Sequence, residues 1–279
     1  MKRQVKNKVK GYRTSDGAGV SLVRVLGGET VEEFDPILML DSFDSTDPKE
    51  YIAGFPLHPH RGIETISYVY RGKMIHKDSL GNEDGIGDGE VQWMNSGSGI
   101  MHEEMVPPAE RLLGVQLWLN LPASDKMSQP TYHSIKKNEI KELEIEGGKI
   151  RLLAGRYEEH QGYMGTYLPL DYYDIHLNEK ASITLHMQKK DSVMIFTLLG
   201  RVYVNDELIE EKTAVKLTEG DTLEIRNSDC KSQVLYMRSR ALQEPVAWAG
   251  PIVMNTQEEL RTAFSELRKG TFIKDKIEY

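Results

Sequence analysis

The sequence is nearly free of cysteine, since Cys230 is the single one among 279 residues. One thiol excludes an intrachain disulfide and any cysteine-rich zinc or iron–sulfur site, and it is typical of proteins from a reducing compartment. Long apolar runs are missing too, because none approaches the roughly 18 residues that a membrane span requires. We therefore expect a soluble, cytoplasmic protein that has no membrane association.

An excess of positive charge is also absent. The chain has 35 Lys and Arg against 43 Asp and Glu, which gives a formal net charge of −8 at pH 7. Nucleic acids and anionic membrane surfaces attract proteins through clustered positive charge. The charge balance therefore predicts a protein that does not bind nucleic acid directly.

Short runs of β-branched and aromatic residues fill most of the chain and alternate with Gly, Asn and Asp turns. This pattern is typical of an all-β sandwich or barrel. The clearest runs are 20–26, 66–70, 91–94 and 114–119. Near the end, Thr256 precedes two acidic residues, and basic residues lie just before Gly270. These are the start and stop signals of a helix, so we expect a C-terminal helix after the strands.

The two halves of the chain resemble each other. Segment 72–78 resembles 200–206, and segment 88–95 resembles 220–227, at offsets of about 130 residues. Two similar β-domains in tandem explain the length better than one large core does. Polar residues around 125–150 mark the connection between them. We predict one domain over 1–135, which carries a metal site, and a second over 136–279, which is metal-free and includes the C-terminal helix.

Histidine is concentrated in two short motifs, His58-Pro-His60 and His102-Glu-Glu104. Residues two apart on a strand point to the same face, so each motif can offer two ligands to one point. Three imidazoles and a carboxylate suit a divalent transition metal, and iron, manganese, nickel, cobalt and zinc all remain open. Glu104 is either a ligand or an acid beside the site. Glu64 is either a ligand or an ordinary strand residue, and we favour the latter.

These motifs resemble the pirin family. The resemblance is carried by FPLHPHRGIET at 55–65 and DGEVQWMNSGSGIMHEE at 88–104, with further similarity at 34–41 and 250–256. It implies two tandem cupin (jelly-roll-like) β-barrels, the first of which holds one metal, most often Fe(II). The ligands that it implies are His58, His60, His102 and Glu104. In the general cupin pattern the position of Glu64 would be a ligand instead, and the wider spacing between Gly97 and His102 also points to pirins.

The repeat offers a test for a second metal site. Shifting the four ligand positions by the repeat offsets gives His186, Gln188, Gln233 and Leu235, a set with one good ligand. We therefore predict that the second barrel is metal-free. His76 follows the first motif and is a candidate for the pocket lining.

The resemblance to pirins also implies an activity. Some pirins oxidise quercetin, so we expect a quercetin 2,3-dioxygenase whose substrates are a flavonol and O2 and whose products are a ring-opened ester and carbon monoxide. Glu104 would be the catalytic residue, as general base, as ligand or as both. The alternative is a non-catalytic pirin whose iron state governs binding to a protein partner.

Overall fold

The computed structural model describes residues 1–274, and almost all of its regular structure is β-strand, as predicted. The first thirteen strands are β1 (Val5–Lys10), β2 (Tyr12–Asp16), β3 (Val20–Leu26), β4 (Ile37–Ser45), β5 (Phe55–His60), β6 (Ile63–Arg71), β7 (Met74–Asp78), β8 (Glu83–Ile86), β9 (Glu90–Asn95), β10 (Ile100–Met105), β11 (Leu112–Asn120), β12 (Thr131–Ile135) and β13 (Lys141–Ile145). The others are β14 (Gly148–Ala154), β15 (Arg156–Tyr157), β16 (His160–Gln161), β17 (Asp171–Leu177), β18 (Ser182–His186), β19 (Ser192–Leu199), β20 (Val202–Val204), β21 (Glu207–Ile209), β22 (Thr213–Leu217), β23 (Thr222–Asn227), β24 (Ser232–Ser239), β25 (Ala247–Ala249) and β26 (Ile252–Met254).

Helices are few. The α-helices are α1 (Val31–Phe34) and α2 (Gln257–Lys269), and short 3-10 turns cover Gly28–Thr30, Pro48–Glu50 and Ala123–Asp125. The predicted C-terminal helix is therefore confirmed. Among the helices of residues 1–274, none has the length and apolar character needed to cross a membrane.

One compact unit contains Arg13–Val31, Ile37–Lys136 and the described residues of Leu242–Tyr279. Its larger sheet has the strand order β12-β9-β6-β11-β4-β3-β2, and its smaller sheet has the order β5-β10-β7-β8. Apolar side chains from both sheets share one core, among them Val20, Phe43 and Leu112 from the larger sheet and Phe55 and Met74 from the smaller. Two antiparallel sheets that enclose a common core form a β-sandwich or flattened barrel.

The other unit contains Met1–Tyr12, Glu32–Pro36 and Lys137–Ala241. It repeats the same strand arrangement, with a larger sheet β1-β22-β19-β24-β17-β14-β13 and a smaller sheet β18-β23-β20-β21. By sheet position β20 corresponds to β7, which agrees with the first predicted repeat. However, β23 corresponds to β10, whereas the second predicted repeat had aligned 220–227 with β9. The strand pattern alone did not distinguish neighbouring strands of similar composition.

The units differ from the predicted ranges 1–135 and 136–279 at both ends of the chain. The division after Lys136 lies one residue from the predicted boundary, but β1 pairs with β22 and so belongs with the second half. It holds the edge position that β12 holds in the other unit. Helix α2 belongs with the first half, and residues 275–279 of the predicted range lie outside the described residues. Local patterning reveals a strand but not its partner.

The C-terminal segment of the first unit is attached to the turn that follows the His58-Pro-His60 motif. The Val253 amide donates to the Arg61 carbonyl at 3.1 Å, and the Arg61 guanidinium donates to the Phe272 carbonyl at 3.0 Å. The buried Lys126 ammonium donates to the carbonyls of Gly62 at 2.8 Å and Val253 at 3.1 Å. Hydrogen bonds from charged donors to backbone carbonyls are strong. The turn is therefore fixed by contacts with both the C-terminal segment and Lys126.

Helix α2 begins and ends at the residues that the sequence indicated. The Thr256 side chain accepts a hydrogen bond from the Glu259 amide, and the Glu259 carboxylate accepts one from the Thr256 amide. This reciprocal pair is a capping box, which satisfies two amides that the helix leaves open. At the other end Gly270 has a φ of 69°, the left-handed conformation that glycine adopts without strain.

We predict that Thr256→Ala lowers the free energy of unfolding by about 1 kcal/mol, because the helix loses its N-cap oxygen. Urea unfolding followed by circular dichroism measures the change. Thr256→Ser keeps the oxygen and is the matched control, which should stay close to the wild type. Equal losses in both variants would show that the cap contributes nothing.

Candidate metal centre

Two neighbouring antiparallel strands bring the predicted histidines together. His58 and His60 lie on β5, His102 lies on β10, and the register pairs His102 with His58. Because alternate residues on a strand share a face, all three imidazoles point to the same side of the small sheet. Their ligand nitrogens lie within 4.8 Å of one another, and His60 and His102 are buried.

Backbone carbonyls fix the orientation of the two β5 rings. His58 Nδ1 lies 2.8 Å from the Pro56 carbonyl oxygen, and His60 Nδ1 lies 3.0 Å from that of Pro251. A carbonyl only accepts, so each Nδ1 carries a proton, and in the neutral form of each ring the lone pair is on Nε2. Those two Nε2 atoms are 3.1 Å apart. With both rings neutral, two lone pairs at this distance repel each other unless a proton or a metal cation lies between them.

His102 completes the group. Its Nε2 is buried and has no hydrogen-bond partner in the described structure, an arrangement that is costly for a polar atom. Burial, with a further contribution from neighbouring histidines, lowers the pKa of His102 well below its usual value. Burial and the His58 charge lower the pKa of His60 to about 3. Both rings are therefore neutral, which is the form that binds metal.

These features fit a divalent transition metal. In their neutral forms the three imidazoles offer ring-nitrogen lone pairs toward one region, and a bound cation would remove both the repulsion and the unsatisfied atom. Nitrogen donors of this kind suit iron, manganese, nickel, cobalt and zinc. Among residues 1–274, these three histidines are the group of His, Cys, Asp or Glu side chains whose ligand atoms lie close enough together to hold a metal ion.

Glu104 is buried two residues beyond His102 on β10 but does not belong to that close group. Its carboxylate accepts a hydrogen bond from the Gln92 amide, and Gln116 Nε2 donates to its Oε2 at 3.0 Å. The β5–β10 register also shifts between His102 and Glu104. The structure thus brings together three of the four predicted ligands, and a ligand or base role for Glu104 stays a prediction.

Glu64 lies on β6 and is held by a tryptophan. Its Oε1 accepts from Trp93 Nε1 at 3.0 Å, and it is not part of the histidine group. Burial raises the pKa of Glu64 to about 7, and the Trp93 hydrogen bond opposes the rise. This placement agrees with the interpretation of Glu64 as a strand residue.

A cavity of about 640 Å³ opens beside His58 and His60. Trp118 and Trp248 form part of its wall, with ring centroids 5.6 Å apart, and the Trp118 ring meets His60 edge-on at 5.0 Å. Phe55 also lines this cavity. The cavity is large enough for a small organic ligand.

Charged residues line another part of the same cavity. Arg24 forms a bidentate ion pair with Asp41, at 3.0 Å from Nε to Oδ1 and 2.7 Å from Nη2 to Oδ2. The same Nη2 lies 2.7 Å from Asp16 Oδ2. These residues come from β2, β3 and β4, far from the histidine motifs in sequence, so no local pattern pointed to them.

Comparisons with known proteins match most of the chain to one family. The family model described as Pirin matches residues 19–119, and the one described as Pirin C-terminal cupin domain matches 172–273. A pirin-like protein from Caulobacter vibrioides is 39% identical over 97% of this chain and 99% of its own.

This chain belongs to the pirin family. The two predicted cupin barrels are thereby confirmed. The solved quercetin 2,3-dioxygenase from Acinetobacter baumannii is 31% identical, with a TM-score of 0.90 over 98% of this pirin and 99% of that chain. The bacterial pirin YhhW from Escherichia coli, solved with nickel(II), is 19% identical with a TM-score of 0.67 over 84% of this chain and 98% of its own, a likeness of fold alone.

The second barrel of this pirin has a different interior. Strands β18 and β23 hold the places of β5 and β10, and they contribute Ile183, Leu185, Leu223 and Ile225 to an apolar core. His186 lies at the end of β18 and is exposed. Gln233 and Leu235, which the repeat offset selected, lie on β24 instead. A metal-free second barrel stays a prediction.

We predict that the pirin binds one equivalent of a divalent metal and that His60→Ala weakens binding by more than about 100-fold. Loss of an outer partner of a ligand costs about 10–100-fold, so loss of a ligand itself should cost more. Competition with a fluorescent chelator measures the dissociation constant. The exposed His186→Ala is the control and should bind like the wild type. Equal affinity in both variants would place the metal elsewhere.

Glu64 predicts a pH dependence of stability. Its folded pKa of about 7 lies above the unfolded value, so the protonated carboxyl stabilises the fold at low pH. That contribution is fully present below the unfolded pKa and is lost as pH rises through about 7. We expect the free energy of unfolding of the wild type to fall relative to that of Glu64→Gln between pH 5 and pH 8, measured with metal chelated, because the contributions of other shifted groups such as His60 are common to both proteins.

The matched variants for this experiment are Glu64→Gln and, at an exposed site, Glu219→Gln. The difference in free energy of unfolding between the wild type and Glu64→Gln should change over this range, because the variant lacks the titrating group. The pH profile of Glu219→Gln should follow that of the wild type. Parallel pH profiles for all three proteins would contradict the assignment to Glu64.

Proposed function

We propose that this pirin is a metal-dependent dioxygenase that opens the central ring of a flavonol such as quercetin. In the reaction, one flavonol and one O2 give one ring-opened ester and one molecule of carbon monoxide. The observation that carries the proposal is the 640 Å³ cavity, which is walled by tryptophans and borders two of the three converging histidines. The 31% identity to a solved quercetin 2,3-dioxygenase supports it.

The cavity suits a flat, hydroxylated aromatic ligand. Trp118 and Trp248 offer aromatic surface for stacking, and such contacts prefer planar partners. The Arg24–Asp41 pair offers donors and acceptors for hydroxyl groups within the same space. A purely aliphatic or a strongly anionic substrate would leave one of these surfaces unmatched.

His58, His60 and His102 would hold the metal, most often Fe(II) in the family. A bound metal supplies a Lewis acid that lowers the pKa of a coordinating hydroxyl and a centre that engages O2. Manganese, nickel, cobalt and zinc also suit these donors, and nickel(II) is present in the solved Escherichia coli pirin.

Glu104 would accept a proton from the substrate. Gln92 and Gln116 donate to its carboxylate and so fix its position inside the barrel. A carboxylate that is held in place beside the histidines is suited to accept the proton of the flavonol 3-hydroxyl, as general base. Coordination by the same carboxylate, as the family implies, is the other role we propose for it.

The test is reconstitution with Fe(II) without oxygen, followed by quercetin and then O2. We expect flavonol absorbance to fall, with one carbon monoxide released per quercetin consumed. The His58→Ala/His102→Ala double variant should show no turnover. If wild-type protein with full metal occupancy turns over quercetin no faster than this variant, the dioxygenase proposal is wrong. That result would favour the non-catalytic pirin.

A further inference from the structure

A second imidazole lies behind His102. His76, on β7, is fully buried, and its Nδ1 lies 3.3 Å from His102 Nδ1. On its other side, His76 Nε2 lies 2.8 Å from Asp78 Oδ2, and the side chains of both residues have no exposed surface. The three groups therefore form a continuous buried chain from the candidate metal ligand to a carboxylate.

In the arrangement of protons that suits metal binding by His102, His76 is neutral. The Asp78 carboxylate accepts, so the proton between it and His76 belongs to His76 Nε2. A neutral His76 then has a lone pair on Nδ1, which accepts from His102 Nδ1–H. That leaves the lone pair of His102 on Nε2, the same atom that has no partner in the described structure.

We propose that His76 and Asp78 are positioning residues that lock His102 in the tautomer and orientation needed for metal binding. This inference rests on the proposed metal site. A carboxylate that hydrogen-bonds through an imidazole also increases the electron donation of the ligand. His76, which the sequence offered only as a candidate for the cavity lining, does not line the cavity and instead supports the site.

The Asp78 end of this series of hydrogen bonds is fixed by neighbouring residues. Asp78 Oδ1 accepts from the Leu80 amide at 2.8 Å, and its Oδ2 accepts from Asn82 Nδ2 at 2.9 Å. The Tyr132 ring stacks on His76, with centroids 4.0 Å apart and planes 12° from parallel. These contacts leave His76 little freedom to rotate, so its Nδ1 stays directed at His102.

His102 differs from the other two histidines in this support. His58 and His60 donate to backbone carbonyls, whereas His102 donates to a side-chain pair that ends in a charge. The support of His102 is therefore the one that side-chain substitution can remove. The strand spacing His76-Lys-Asp78 is the same two-residue spacing that identified the ligands.

Four variants test the proposal. His76→Phe keeps a ring but removes both nitrogens, Asp78→Asn removes the charge, and His76→Gln retains an oxygen that can accept from His102. His176→Gln is the matched control, because His176 Nε2 makes the same bond to a carboxylate two residues away, at 2.9 Å from Asp174, in the second barrel. Thermal unfolding confirms that each variant is folded.

The first readout is the dissociation constant for Co(II), without flavonol or O2. We expect His76→Phe to raise it about 10–100-fold, Asp78→Asn to raise it less, and His76→Gln to recover part of the loss. His176→Gln should match the wild type. If His76→Phe does not fold, Asp78→Asn carries the test. Affinities within twofold of the wild type for these His76 and Asp78 variants would overturn the proposal.

The second readout is proton NMR of the Co(II) protein. The wild type should show three exchangeable, hyperfine-shifted imidazole N–H signals, one of which disappears or exchanges rapidly in His76→Phe. Three unchanged signals would contradict the proposed hydrogen bond from His102 to His76. Wild-type protein that binds no Co(II) would overturn the metal site as well. Metal binding without quercetin turnover would reject the dioxygenase function but not the positioning role of His76 and Asp78.

Discussion

The convergence of three imidazole Nε2 atoms is the constraint on which the rest of this site depends. Each ring has its Nδ1 committed to a fixed neighbour, two of them carbonyl oxygens and the third His76. The Nε2 lone pairs are consequently brought together before any ligand is present. In the neutral rings the Nε2 atoms of His58 and His60 are 3.1 Å apart, an arrangement that a bound cation would stabilise.

The architecture of the first barrel follows from that requirement. Strands β5 and β10 must pair in the register that sets His102 opposite His58. The C-terminal segment must return to this barrel, because it supplies the Pro251 carbonyl to His60 and the Val253 and Phe272 contacts to the following turn. The C-terminal segment thus supports the ligands, and its Trp248 also lines the cavity beside them.

The sequence predicted the all-β fold, the tandem repeat and the three histidines because those features are periodic or local. It did not reveal that the N-terminal strand belongs with the second half of the chain and the C-terminal segment with the first. Strand pairing between residues 5 and 217 has no local signal in the sequence. The Gln92 and Gln116 contacts to Glu104 were also missed, because buried amides have no characteristic spacing. His76 and Asp78 had the right spacing to be noticed, and only their distance to His102 revealed their role.

Anomalous X-ray diffraction from crystals grown with Fe(II) or Co(II) tests the central claim most directly. The account predicts one strong metal peak in the first barrel, bonded to Nε2 of His58, His60 and His102. It also predicts that each Nδ1 keeps its present neighbour. A peak bonded through Nδ1, or no peak at the three histidines in protein that carries one equivalent of metal, would contradict it.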